Sequence, residues 1–208
     1  TGTTTANVKG NWDVAGDVNV TAENKETFDL DTDTASASIA GGSGGGLSKN
    51  VTQAAHVNLD GAAVTTAGAQ TVRAENVLND ASSMASAGYG FLGSTDATKL
   101  SASGTYTGDV SLTGATLTAN GGGSTVTAAT TGTHTTDNDI NAGSIGVDEA
   151  VATTTNNLTY KNAVTLDGAS VKTNGSTAGD VALAAYDATE ASDTILADSE
   201  GVIAAVVT

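Results

Sequence analysis

Apolar and polar residues alternate along much of this chain. Short runs such as Val18-Asn-Val20-Thr-Ala22, Val57-Asn-Leu59 and Val110-Ser-Leu112 change character at every position. A period of two sends successive side chains to opposite faces, so these runs predict strands with one face turned inward. The runs also recur. Residues 57–68 read VNLDGAAVTTAG, residues 110–121 read VSLTGATLTANG, and residues 164–175 read VTLDGASVKTNG, with starts 53 and 54 residues apart. A second element, residues 20–24 (VTAEN), returns as residues 72–76 (VRAEN) and more loosely at 126–130 and 181–185. It follows a glycine-containing bend each time, at Gly16, Gly68, residues 121–123 and residues 175–179. Small-residue stretches at 35–47, 83–93 and 141–151 predict a further strand and a glycine-rich turn. Residues 50–55, 101–107 and 153–160 are polar and β-prone, with the composition of solvent-facing strands or loops. No stretch sustains an apolar stripe at helical spacing, residues 187–198 included.

A fixed period of this size points to an all-β parallel β-helix, or β-solenoid. A β-sandwich built from hairpins needs no such repeat, and the two-residue turn signals and prolines common in that fold are missing. Because the period exceeds one turn of a typical solenoid, it divides into about three coils of roughly 18 residues per 53–54-residue repeat. About eleven coils then make a rod of about 50–55 Å. The chain reads as a single segment, residues 1–208, with a partial unit at 1–17, repeats at 18–71, 72–125 and 126–180, and a partial repeat at 181–208. Val57, Leu59 and Val64 point inward, as do Val110, Leu112 and Leu117, and Val164, Leu166 and Val171. Gly61, Gly114 and Gly168, inside the motif, mark a corner or a close backbone approach. Trp12, the single tryptophan, covers the first coil or replaces a Val–Leu pair.

Composition narrows the function. Aromatic residues make up 3% of the chain and charged residues 14%, with 26 glycines, no proline and no cysteine. Such a chain fills a narrow interior with Val, Ile, Leu and Ala. Its net charge of −16 repels nucleic acid and anionic membrane surfaces. Disulfides play no part in its stability. The longest apolar run, residues 202–207, is strand-sized and too short to span a membrane. The chain opens on TGTTTANVKG, without a basic and apolar leader, which reads as a processed chain or an excised fragment.

Three stretches together resemble a known family. Residues 16–24 (GDVNVTAEN), residues 40–47 (AGGSGGGL) and residues 57–68 are similar to the repeats of large bacterial exoproteins of the filamentous-haemagglutinin and leukotoxin-like type. The resemblance runs over nearly the whole chain. A middle coil reading G-A-S-V-A-V-N, common in that family, is absent. The resemblance implies a right-handed β-helix, exposure at the bacterial cell surface outside the cell, and a role as stalk or adhesive fibre. It brings no catalytic residues.

The residue types that carry chemistry are sparse, and no catalytic, cofactor-binding or metal-binding site is assigned. Asp29, Asp31 and Asp33 form D-x-D-x-D; on a strand the three share an outward face, which suits either Ca²⁺ or a solvated acidic surface. Residues 88–93 (GYGFLG) satisfy G-x-G-x-x-G without the helix a dinucleotide site requires, and residues 41–46 lack the Lys of a phosphate loop. His56 and His134 have no Cys or His companions and read as exposed strand or loop residues. Polysaccharide-degrading β-helices need clustered carboxylates or basic residues with aromatic platforms, for which one Trp and one Arg are poor material. The expectation is therefore a structural and adhesive segment of a secreted surface protein, contacting a host or bacterial surface glycan or protein. A subunit that self-associates into an extracellular fibre is the alternative.

Overall fold

The computed structural model describes residues 1–175, 179–201 and 203–208, and every regular element among them is a strand. In chain order these are β1 (Gly2–Val8), β2 (Asn11–Val14), β3 (Val18–Gly41), β4 (Gly44–Asp60), β5 (Ala63–Thr66) and β6 (Gln70–Thr113), followed by β7 (Thr116–Ala119), β8 (Ser124–Ser144), β9 (Val147–Asp167), β10 (Ser170–Thr173), β11 (Val181–Glu200) and β12 (Ile203–Val207). All of the pairing is parallel. The bend expected at residues 175–179 and the apolar run from residue 202 lie partly outside the described residues.

The register sets the architecture. Ala74 of β6 pairs with Ala22 of β3 on one edge and Ala128 of β8 on the other. Farther along the same strand, Val110 lies between Val57 of β4 and Val164 of β9. Among the short strands, Val64 lies between Trp12 and Leu117, with Val171 beyond. Trp12 therefore stands where later repeats carry Val or Leu. Partners are one whole repeat apart, and in the central strands neighbouring repeats occupy both edges.

This register corrects the expectation of three coils per repeat. A strand has two edges, so an intermediate coil of roughly 18 residues has nowhere to pair. Each repeat supplies one level of the stack, and its three parts are limbs of that level. An outgoing limb (β3, the first half of β6, β8, β11) bends back into a return limb (β1, β4, the second half of β6, β9, β12). A short limb (β2, β5, β7, β10) then leads to the next level. Because β1 and β12 cover opposite ends of the return limb, the stack is at most four strands deep at any point, roughly 15–20 Å, far short of the expected rod. Each long limb of about 20 residues is several times longer, roughly 65 Å.

Corners and core follow the sequence closely at the short-limb end. Gly61, Gly114 and Gly168 have φ of +60°, +58° and +61°. A Cβ at any of them would meet nothing within 4 Å, so left-handed backbone, not crowding, selects glycine there. Beside these corners Val57, Leu59, Val64, Val110, Leu112 and Leu117 form one buried apolar cluster. Val164 and Val171 pack against it, while Leu166, on the outermost level, is 40% exposed.

The return limb departs from its sequence reading. Residues 50–55 and 101–107 were expected to face solvent, yet Gln53, Ala55, Ala102 and Tyr106 are buried. The outgoing and return limbs lie face to face: Asn76 Nδ2 donates to the Thr107 carbonyl at 2.9 Å across the gap. One level per repeat leaves the return limb no other surface to cover, so its inward positions are buried although many are polar.

Candidate functional site

Away from the apolar cluster, the interior between the long limbs turns polar. Asn24 and Asn76 are register partners joined at 3.3 Å, and Asn24 Nδ2 also donates to the Ala54 carbonyl. Beyond them lies a charged seam. Glu26, Lys49, Asp80 and His134 are all buried, His134 at 0% exposure. Lys49 Nζ stands 3.2 Å from Glu26 Oε1, contacts Asp80 Oδ2, and lies 4.8 Å from the centre of the Phe28 ring. Asp80 Oδ2 also meets His134 Nδ1, and His134 Nε2 lies 3.2 Å from Asn156 Oδ1. Tyr106 Oη donates to Glu26 Oε2 at 3.2 Å, and its ring stacks on Tyr160 with centroids 5.6 Å apart.

Glycines make room for this seam. A Cβ at Gly104 would lie 2.5 Å from Tyr106 Cε2, and one at Gly132 (φ +123°) would lie 1.9 Å from the Leu78 carbonyl oxygen. The strands then deliver charge from successive levels: Glu26 and Lys49 from the first, Asp80 and Tyr106 from the second, His134 and Tyr160 from the third. Burial works to raise the Asp80 carboxyl, but the hydrogen bonds with His134 and Lys49 outweigh it and hold the group below its ordinary value. The hydrogen bond to Asp80 raises His134 against the opposing effect of burial. Burial, reinforced by the Glu26 charge, raises the Tyr106 hydroxyl strongly. With His134 protonated, two cations balance two carboxylates inside the protein.

The seam ties levels together and is closed to solvent. The Asp80–His134 pair has the form of half a catalytic triad, but Nε2 faces the Asn156 amide and not a nucleophilic hydroxyl. His134 is thus a buried partner in an ion network, contrary to its reading as an exposed residue. His56 is partly exposed, 3.9 Å from Asp109. Register carries a signal for the seam that the three-coil division hides: Phe28, Asp80 and His134 occupy one column.

The surface positions expected to carry chemistry are dispersed. Asp29, Asp31 and Asp33 share the exposed face of β3, and Ser83 Oγ donates to Asp31 Oδ1 at 2.6 Å. Among the described residues no group of three or more His, Cys, Asp or Glu side chains is placed to hold a metal ion. The glycine runs at 41–46 and 88–93 both lie at the bend between outgoing and return limbs.

That bend is the other distinctive feature. Inside it, Asp96 Oδ1 accepts the Ser43 N–H at 2.7 Å and Asp148 Oδ2 accepts the Ser144 N–H at 2.6 Å, so carboxylates cap two of the stacked turns. Outside it, Ile39, Tyr89, Phe91, Leu92, Ile145 and Val147 are 52–72% exposed. Among the described residues, the other exposed large apolar side chains, Trp12 and Leu183 among them, lie at the ends of the stack, on β2, β11, β12 and the part of β9 that β12 does not cover. Comparison with known protein families, curated proteins and solved structures finds no match to this chain.

Proposed function

We propose that this chain is a structural and adhesive segment of a secreted bacterial surface protein, a right-handed β-solenoid that spaces or presents contacts outside the cell. The observation that supports this reading most is the one-repeat register on both edges of β6. A stack in which every level templates the next extends by adding repeats, and nothing about an added level requires a new core. The buried seam binds levels to one another, which suits a load-bearing role. The outward faces, rich in Thr, Asn and Asp, are the surfaces for contact with a glycan or protein at a host or bacterial surface.

A fibre subunit is the second reading, favoured by one observation. Among the described residues β3 pairs only with β6, and β11 only with β8, so each end of the stack carries a long strand with one edge unpaired there. Free edges of that length accept further strands. Negative-stain microscopy of the purified protein separates the two. Isolated particles of uniform width support the segment reading, whereas regular filaments that lengthen with concentration support the fibre. For adhesion, beads coated with the protein are expected to be retained on host or bacterial cells. Retention no greater than that of beads coated with an unrelated acidic protein would count against it.

A further inference from the structure

On its first three levels, the outer surface of the stacked bends combines exposed large apolar side chains with an absence of charge. Residues 34–48, 81–95 and 140–147 contain no Asp, Glu, Lys or Arg. The register lays these stretches side by side: Ser38, Gly90 and Ser144 share one column, and Ala40, Gly93 and Val147 another. Between those columns the chain inserts Ile39 on the first level, Phe91 and Leu92 on the second, and Ile145 and Gly146 on the third. A ridge of apolar side chains therefore runs along the stacking direction. Beside it lies an open hollow of about 690 Å³, lined mainly by Ala40, Gly41, Gly42, Leu92, Gly93 and Val147.

We propose that this surface is the interface through which a second copy of the chain docks, bend to bend, about a two-fold axis. Three observations select that occupant. Among the described residues, large exposed apolar side chains stand on one narrow strip and otherwise at the ends of the stack, which marks the strip as a surface meant to be covered. On a molecule of net charge −16, the first three levels of this strip are where two copies can meet without bringing carboxylates together; Asp198 and Glu200, exposed on the fourth level, mark its edge. A cationic partner, by contrast, finds no exposed carboxylate within those three levels to pair with. Ridge and hollow lie next to each other, which is the arrangement a two-fold contact needs: the ridge of each copy enters the hollow of the other. The glycines lining the hollow let backbones approach closely. This pairing is lateral, so it is independent of any extension at the ends of the stack.

The test is sedimentation velocity of the whole purified chain over a concentration series, with circular dichroism as the check on folding. The expected result is a monomer–dimer equilibrium that the double variant Phe91→Asp/Leu92→Asp weakens by about 30-fold or more, with an unchanged spectrum. Should the double variant misfold, Leu92→Cys in this cysteine-free chain supplies a second reading: at equal dilution it is expected to oxidise to a covalent dimer much faster than Thr21→Cys, on the exposed face of β3, and equal rates would overturn the proposal. A monomer at every concentration would overturn the proposal. So would a dimer or polymer that the bend substitutions leave unchanged. Binding to neutral phosphatidylcholine vesicles by an otherwise monomeric chain, lost in Phe91→Asp/Leu92→Asp, would also overturn it and assign the ridge to lipid.

Discussion

Lys49 sits in a demanding environment for a charged side chain. Its ammonium is buried between Glu26 and Asp80, over the Phe28 ring, and it neutralises carboxylates that would otherwise be stranded in the interior. Removing one partner from such a set costs far more than the set contributes in total, because a buried charge is left unpaired. Lys49→Met is therefore expected to lower stability by about 3–5 kcal/mol, read as the loss in urea unfolding free energy. The seam also sets a pH window. His134 is raised above its ordinary 6.5, so its contribution is complete below that pH and is lost as pH rises through the folded value. Asp80 is held below 3.8, so its contribution is present above that pH and is lost as pH falls through the folded value. Stability should then be highest between these limits and fall on the alkaline side; His134→Gln should flatten that alkaline limb in unfolding midpoints taken across pH. None of these contacts was legible residue by residue. A lone Lys, His or Asp in a polar stretch carries no mark of burial, and only the correct register brings Asp80 and His134 into one column.

The elements were legible to different degrees. The V-x-L pairs and their glycines announced both the inward face and the corner, because a period of two and a left-handed residue each leave a direct imprint on sequence. Gly114→Val is expected to cost about 1–3 kcal/mol from backbone strain alone, since a Cβ there meets nothing. Gly132→Val should cost more, because its side chain would also collide with the Leu78 carbonyl; thermal melts of the two variants give the ranking. The return limb was misread because its inward positions include Gln53, Gly104 and Thr98, which lack the apolar alternation that marks a buried face. The bend was foreseen as glycine-rich, but its exposed ridge was not. Ile39, Phe91 and Ile145 look like ordinary core residues until the chain turns beneath them.

At the scale of the molecule, the period in the sequence matches the spacing between paired strands, but it does not fix how many levels a repeat fills. Sequence gives the period but not how far a limb runs before it turns, and two long limbs with a short third use up a whole repeat in one level. The central claim is therefore the register, and it can be tested by cross-linking. Asn58 of β4 and Ser111 of β6 are direct neighbours on the outward face. In a parallel pair they come within disulfide range, which is about 4.4–6.8 Å between Cα atoms. In the cysteine-free chain, Asn58→Cys/Ser111→Cys should oxidise readily to an intramolecular disulfide, and Thr21→Cys/Ile39→Cys, separated by roughly one coil of the three-coil division, should not. Cross-linking of the second pair and failure of the first would contradict the one-level repeat.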